Sequence, residues 1–173
     1  STNTPGEQGD VTVSSAIAPT GGTGTLTINA DRDVTINAAI TDGGTMSLVI
    51  NANRDIDIGA NIDLAGSVVL NADADNSGGG SAGDLIFSAG SVTGAGVTLV
   101  SGEALELGNV TSSGAINITT SNDNITQAGG TSIAVTNSLD GVVTLDAGTG
   151  NVTLTEASNN FGANGSSANV TIT

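Results

Sequence analysis

Apolar and polar residues alternate in short segments along almost the whole chain. The pairs with this spacing include Val11 with Val13, Leu26 with Ile28, Val34 with Ile36, Leu105 with Leu107, Ile116 with Ile118 and Val170 with Ile172. A period of two puts every second side chain on the same side of a β-strand, and the helical spacing of three and four residues is nearly absent. Gly, Asn, Asp and Thr, which are poor helix formers, fill the intervening positions. The pattern predicts an all-β protein.

The alternating segments belong to an internal repeat of about 22 residues. Residues 26–47 and residues 48–69 are two copies of one sequence, in which Arg32-Asp33 of the first copy matches Arg54-Asp55 of the second. A third copy begins at Leu70, is interrupted by a Gly/Ser/Asp-rich insertion at 73–83, and resumes at Asp84. Units that cannot bury their apolar side alone stack on their neighbours to make a solenoid.

This repeat predicts a parallel β-helix over residues 9–173, with an N-terminal extension at 1–8. Two alternating segments per repeat give about seven coils with two strands in each. A sandwich of stacked hairpins is the alternative. It fits less well because most segments are joined by irregular links of variable length, whereas hairpins favour tight Asn-Gly or Asp-Gly turns.

Composition and charge exclude much chemistry. The chain has 173 residues and no Lys, His, Cys, Trp or Tyr, which removes the common zinc, thiol and lysine-dependent sites. With 17 acidic and 2 basic residues, its net charge of −15 repels nucleic acid and anionic lipid. No apolar run approaches the roughly 20 residues of a membrane span. We therefore expect no enzyme activity, no required cofactor, no nucleic-acid partner and no membrane insertion.

The segments LTINADRDVTINAAI and LVINANRDIDIGANI, together with GDVTV at Gly9 and GNVTL at Gly150, resemble the repeats of filamentous-haemagglutinin-like exoproteins. These are bacterial surface adhesins exported by two-partner secretion. The resemblance implies a right-handed parallel β-helix that serves as a stalk or adhesin outside the cell. It also implies that the partners are neighbouring repeats or copies of the chain, or a receptor or glycan on a host cell or matrix.

The two arginines of the chain, Arg32 and Arg54, occupy the same repeat position. Stacking would place them on adjacent coils about 5 Å apart, where two cations repel each other. The carboxylates of Asp33 and Asp55 lie beside them and would relieve this repulsion. We predict a structural ladder of alternating charges at a turn.

The insertion contains a candidate calcium loop. Counted over twelve positions, Asp73, Asp75 and Asp84 fall at positions 1, 3 and 12, Ser77 at position 5 and glycine at position 6. Oxygen ligands with this spacing can surround a hard cation. A solvated loop between coils is the alternative, because Asp rather than Glu closes the motif and no helices flank it.

The sequence thus predicts a non-enzymatic, adhesive or structural segment of a secreted bacterial surface protein. A self-assembling extracellular fibril subunit is the main alternative. Two others are a phage fibre and a polysaccharide hydrolase or lyase, for which Glu103 with Glu106 or Asp140 with Asp146 would supply paired carboxylates.

Overall fold

The computed structural model describes residues 9–75, 83–137, 142–162 and 169–173. The regular secondary structure of these residues consists of β-strands alone. In chain order they are β1 (Val11–Val13), β2 (Thr23–Ala30), β3 (Val34–Ile36), β4 (Ile40–Thr41), β5 (Thr45–Ala52), β6 (Ile56–Ile58), β7 (Ile62–Asp63), β8 (Val68–Ala72), β9 (Leu85–Ile86), β10 (Ser91–Gly94), β11 (Val97–Ser101), β12 (Leu105–Leu107), β13 (Asn109–Ser112), β14 (Ile116–Thr120), β15 (Ile125–Gln127), β16 (Ile133–Val135), β17 (Val142–Asp146), β18 (Val152–Thr153) and β19 (Asn169–Ile172).

The strands form three parallel stacks, which we name faces A, B and C. Face A contains β1-β3-β6-β9 and continues through β12-β15-β18, face B contains β4-β7-β10-β13-β16, and face C contains β2-β5-β8-β11-β14-β17-β19. Every pairing between these strands is parallel and joins one coil to the next. The chain visits the faces in the order A, B, C and then starts again. The seven strands of face C mark seven coils, so the fold is a parallel β-helix, as the repeat predicted.

Equivalent residues of successive repeats lie directly above one another. Ile28 pairs with Ile50 on face C, and Ile36 pairs with Ile58 on face A. The spacing between partners is 22 residues for Asn29 and Asn51, and it lengthens to 29 where the insertion lies. The regular period is therefore a property of the first coils, and the pairing register survives when coil length changes.

Each coil has up to three strands, and the prediction of two strands per coil was wrong. The strands of face B are short in the early coils, where β4 and β7 have two residues each. Such a strand directs one apolar side chain inward, Ile40 in β4 and Ile62 in β7, so it has no alternation to detect. In the first coil face B is reduced to a single bridge between Ile17 and Ile40.

The core is a set of aliphatic columns enclosed by the three faces. Its members are almost all Val, Ile, Leu and Ala, and most have no exposed surface. Burying one large aliphatic side chain contributes about 1.5–3 kcal/mol. Phe87 packs against this core at a position where the next coil has Gly108, and a Cβ on Gly108 would lie 2.6 Å from Phe87 Cδ1. The aromatic ring fits because its neighbour has no side chain.

Glycines make the corners where the backbones of successive coils come close. A Cβ on Gly66 would collide with the carbonyl group of Met46 in the coil before it. Because stacked coils are held at the strand spacing of about 4.8 Å, neither backbone can withdraw. None of the described residues forms a helix with the length and apolarity needed to cross a membrane.

Candidate functional site

The most distinctive group of polar residues lies at the corner where face C of one coil leads into face A of the next. Four aspartates, Asp10, Asp33, Asp55 and Asp84, stand one per coil at this corner and form what we call the aspartate column. Each of the last three donates its backbone N–H to the Oδ1 of the aspartate before it, over 3.3, 3.3 and 3.0 Å respectively. The carboxylates therefore tie consecutive coils together.

The two arginines alternate with the first three aspartates. Arg32 Nε lies 3.4 Å from Asp10 Oδ1, and its Nη2 lies 3.7 Å from Asp33 Oδ2. Arg54 Nε lies 3.5 Å from Asp33 Oδ1, and its Nη2 lies 4.0 Å from Asp55 Oδ2. The backbone N–H of Arg54 also donates to the backbone carbonyl oxygen of Arg32 at 3.1 Å, so the arginines occupy adjacent coils. Their side chains are 35% and 42% exposed, and exposed pairs contribute up to about 1 kcal/mol each.

The alternation of charges stops at Asp84. The corner residue before Asp84 is Gly83, and a Cβ there would collide with the carbonyl oxygen of Arg54 and the backbone N of Asp73. No arginine side chain can therefore start from this position, and the carboxylates of Asp55 and Asp84 succeed each other without a cation between them.

Burial and neighbouring carboxylates both raise the pKa of Asp84. Burial is the largest cause of a rise in the pKa of Asp84 above its ordinary value of 3.8. The carboxylates of Glu103, Asp55 and Asp123 add to the rise, in that order. The negative form of Asp84 is thus disfavoured in the folded protein.

The structure describes only part of the candidate calcium loop. Asp73 follows β8 in a left-handed conformation with φ of 60°, and its N–H donates to the Arg54 carbonyl oxygen at 3.3 Å. Asp75 is the last described residue before position 83, and Ser77 lies outside the described residues. Asp84 belongs to the aspartate column. Within the described part of the chain no three acidic residues converge in a way suited to a metal ion. The calcium loop stays a prediction.

The clefts on the surface of the described residues include an apolar one and a smaller one near the aspartate column. A mainly apolar one of about 320 Å³ lies over the first two coils and is lined by Pro19, residues 21–26, Asp42, Gly44 and Met46. A smaller one of about 180 Å³ lies beside the aspartate column and is lined by residues 84–87, Ala104 and Glu106. Of the paired carboxylates considered for hydrolysis, Glu106 lines the smaller cleft, and Asp140 lies outside the described residues.

Gln127 and Asn159 form a polar pair that the sequence did not reveal. Gln127 is the inward residue at the end of β15, where its partner in the coil before is Leu107, and it is 8% exposed. Its side-chain amide exchanges two hydrogen bonds of 2.8 Å with that of Asn159. Asn159 Oδ1 also accepts a hydrogen bond from the Ile133 N–H at 2.8 Å. The signal for this pair in the sequence was Gln127, a polar residue at an inward position of the alternating pattern.

Comparison with known proteins gives one match. Residues 94–168 match a family described as repeats of unknown function (DUF5649). This region runs from the end of β10 to the last strand and leaves out residues 26–69, where the internal repeats are most alike. No curated protein matches the chain. No solved structure matches it.

Proposed function

We propose that this chain is a rigid β-helical stalk segment of a secreted bacterial surface protein of the filamentous-haemagglutinin-like kind. The observation that carries the proposal is the unbroken stacking of face C, in which seven strands pair in parallel from β2 to β19. Each coil is bonded to the next through backbone N–H and C=O groups. A force along the axis is therefore opposed by many hydrogen bonds at once.

The polar side chains support this mechanical role. The aspartate column joins four successive coils, and Asn51 Nδ2 donates to Asn29 Oδ1 at 2.9 Å on face C. Further along, the backbone N–H of Asn151 donates to Asn124 Oδ1 at 2.9 Å. These side chains bond to the neighbouring coil, which leaves the stacking register with little freedom.

The resemblance of residues 26–69 to exoprotein repeats supports the location outside the cell. At the strand spacing of about 4.8 Å, seven coils give a rod of roughly 35 Å. We propose that such a rod holds adhesive surfaces away from the cell, and that its partners are neighbouring repeats and a receptor or glycan on a host cell or matrix.

A stalk must be stiff. Because the chain has no cysteine, two introduced cysteines are the only places where labels attach, and the distance between the labels reports the stiffness. Thr12 on β1 and Thr153 on β18 are exposed, point outward and lie six coils apart along face A. In Thr12→Cys/Thr153→Cys we expect the two labelled backbone positions to lie about 29 Å apart. The length of the spin labels adds to this distance. Pulsed electron resonance should give a narrow distance distribution, and a broad one would contradict the stalk.

Location is tested in the bacterium that makes the protein. Antibodies to the folded chain should label intact cells or the secreted fraction. Labelling that requires permeabilised cells would contradict the surface role without bearing on stiffness. A fibril subunit, the main alternative, would instead form an open-ended series of oligomers when size-exclusion chromatography is run over a dilution series.

A further inference from the structure

The backbone ladder of face A is interrupted between β9 and β12, where a four-stranded sheet ends and a three-stranded sheet begins. At the same level, face B continues from β10 to β13 and face C continues from β11 to β14. The two coils on either side are therefore joined by ladders on two faces instead of three. We call this interruption the seam.

A side chain takes the place of a backbone partner at the seam. In the coil before, Ile56 holds the equivalent position and donates its backbone N–H to the Asp84 carbonyl oxygen at 2.9 Å. Leu105, in the coil after, likewise donates to the coil beyond it. The backbone N–H of Leu85 donates instead to the buried Oγ of Ser101 at 3.2 Å. Ser101 ends β11 on the same coil as Leu85, so this hydrogen bond does not join the two coils.

The smaller cleft, of about 180 Å³, opens at the seam. Residues 84–87 line it from one side, and Ala104 and Glu106 line it from the other. A space of this size has room for several water molecules, since each occupies about 30 Å³ in the liquid. Water can therefore reach the edges of both strands and compete for the backbone groups that a ladder would pair.

Carboxylates repel each other across the seam. Asp84 lies directly before β9 on one side, whereas Glu103 precedes β12 and Asp123 precedes β15 in the two coils on the other side. After burial, which is the largest cause, the carboxylates of Glu103, Asp55 and Asp123 raise the pKa of Asp84. The negative charge of Asp84 is therefore least favourable when the seam is closed.

The other charged residues around Asp84 do not offset this repulsion. Arg54 is the nearest arginine of the ladder, and its guanidinium lies by Asp33 and Asp55, on the side away from the seam. The remaining charged residues are acidic, namely Asp57 on β6, Asp73 beside Gly83, and Glu106 in the cleft. The seam is thus acidic on both sides.

We propose that the seam is a local opening site, at which face A parts while faces B and C keep the two coils joined, and that the charge of Asp84 promotes the opening. Parting would hydrate Asp84 and lengthen its distance from Glu103, and it would break no strand pairing of face A. Local openings occur where few contacts have to be broken. The inference goes beyond the stalk function, since a stalk need not have a preferred opening site.

Introduced cysteines measure the opening. Leu105→Cys places a thiol in the core beneath the seam, and Ile56→Cys is the matched control in β6, which is paired on both sides. Both side chains are fully buried, so a thiol-reactive dye reaches them only through an opening. We expect Leu105→Cys to react at least about tenfold faster than Ile56→Cys under native conditions. Leu99→Cys, in the continuous ladder of face C, should react as slowly as Ile56→Cys.

Two results of this labelling would overturn the proposal. Equal rates for Leu105→Cys and Ile56→Cys would show that the seam opens no more often than a paired strand. A rate for Leu99→Cys as high as that for Leu105→Cys would show that the coils part as a whole and not on face A alone.

A charge variant tests the role of Asp84. In the Leu105→Cys background, Asp84→Asn should slow the labelling several-fold at neutral pH, because it removes the repulsion across the seam. Asp63→Asn removes one exposed negative charge on face B and should leave the rate unchanged. Equal rates in the two variants would overturn the proposal, since the charge of Asp84 would then have no special effect.

Hydrogen exchange of the wild-type chain gives a second measurement that needs no core substitution. After correction for intrinsic rates, the Leu85 amide should exchange at least about tenfold faster than the Ile56 amide, and equal rates would again overturn the proposal. The open form is a minor state of about 1% or less. None of these outcomes therefore changes the distance between the spin labels on Thr12→Cys and Thr153→Cys, and the stalk proposal is tested separately.

Discussion

Gln127 and Asn159 face each other across two adjacent coils and exchange hydrogen bonds of 2.8 Å in both directions. The pair joins the end of β15 to the final coil, where fewer large aliphatic side chains are buried. Gln127 is 8% exposed, so its amide has little access to water and depends on Asn159 for its hydrogen bonds.

Removing one member of this pair should therefore cost more than a surface hydrogen bond. We expect Asn159→Ala to lower the free energy of unfolding by about 1–3 kcal/mol, since it leaves the Gln127 amide and the Ile133 N–H without this acceptor. Urea denaturation followed by circular dichroism measures the change. The double variant Gln127→Leu/Asn159→Ala should recover part of the loss, because the unpaired amide is then absent. Full additivity of the two substitutions would show that the residues do not interact.

Corner glycines give a second prediction. In Gly66→Ala the new methyl group would meet the Met46 carbonyl group, and we expect a loss of about 1–3 kcal/mol from overpacking. Gly96→Ala is the matched control, because its methyl group would lie 3.6 Å from Ser67 Oγ and 3.9 Å from the Ala115 carbonyl oxygen, which is ordinary contact. Thermal melting of the two variants should separate them clearly. Equal melting temperatures would mean that the coils can move apart at this corner.

The alternation of inward and outward side chains gives a third prediction. Leu107 is fully buried, and its neighbour Glu106 on β12 is exposed. We expect Leu107→Ala to lower the free energy of unfolding by about 2–5 kcal/mol, through lost burial and the cavity that remains. Glu106→Ala should change it by less than about 0.5 kcal/mol. Denaturant midpoints for the two variants check the difference, and a cost at Glu106 as large as that at Leu107 would contradict the orientation of β12.

Much of the fold could be predicted because the first coils repeat their sequence almost residue by residue. Arg32 and Arg54 could be placed on neighbouring coils from this repeat alone. Asp10 was missed, although GDVTV at Gly9 matches the segment that begins at Arg32 and places Asp10 opposite Asp33. The face B strands were missed since each has one inward residue in the early coils. Gln127 and Asn159 are separated by 32 residues and share no repeat position, so only the folded coils bring them together.

The candidate calcium loop gives a fourth prediction. If the carboxylates of Asp75 and Asp84 bind calcium through the insertion, millimolar calcium should raise the melting temperature by mass action. Asp75→Ala should abolish this rise. Asp146→Ala, which removes a carboxylate from face C instead, should retain it. Identical melting curves with calcium and with a chelator would exclude the site.

An ordinary ion-paired aspartate stabilises the folded state more as the pH rises, and the raised pKa of Asp84 predicts the opposite pH dependence. Its folded pKa lies above the unfolded value of 3.8, so the folded state holds the proton more tightly and stability falls as the pH rises between the two values. At neutral pH the full cost is present. We therefore expect Asp84→Asn to melt at a higher temperature than the wild type near neutral pH, with the difference closing as the pH falls below 3.8.

A change in net charge alone would also alter melting, and Asp63→Asn controls for it. Asp63 is exposed on β7, so its variant removes one negative charge from the surface, whereas Asp84 is partly buried. The gain in Asp84→Asn should exceed the gain in Asp63→Asn at neutral pH because burial, the largest cause of the shift, acts on Asp84. Equal gains at neutral pH, or a gain at Asp84 that persists in acid, would show that the carboxylate at the end of the aspartate column carries no such cost.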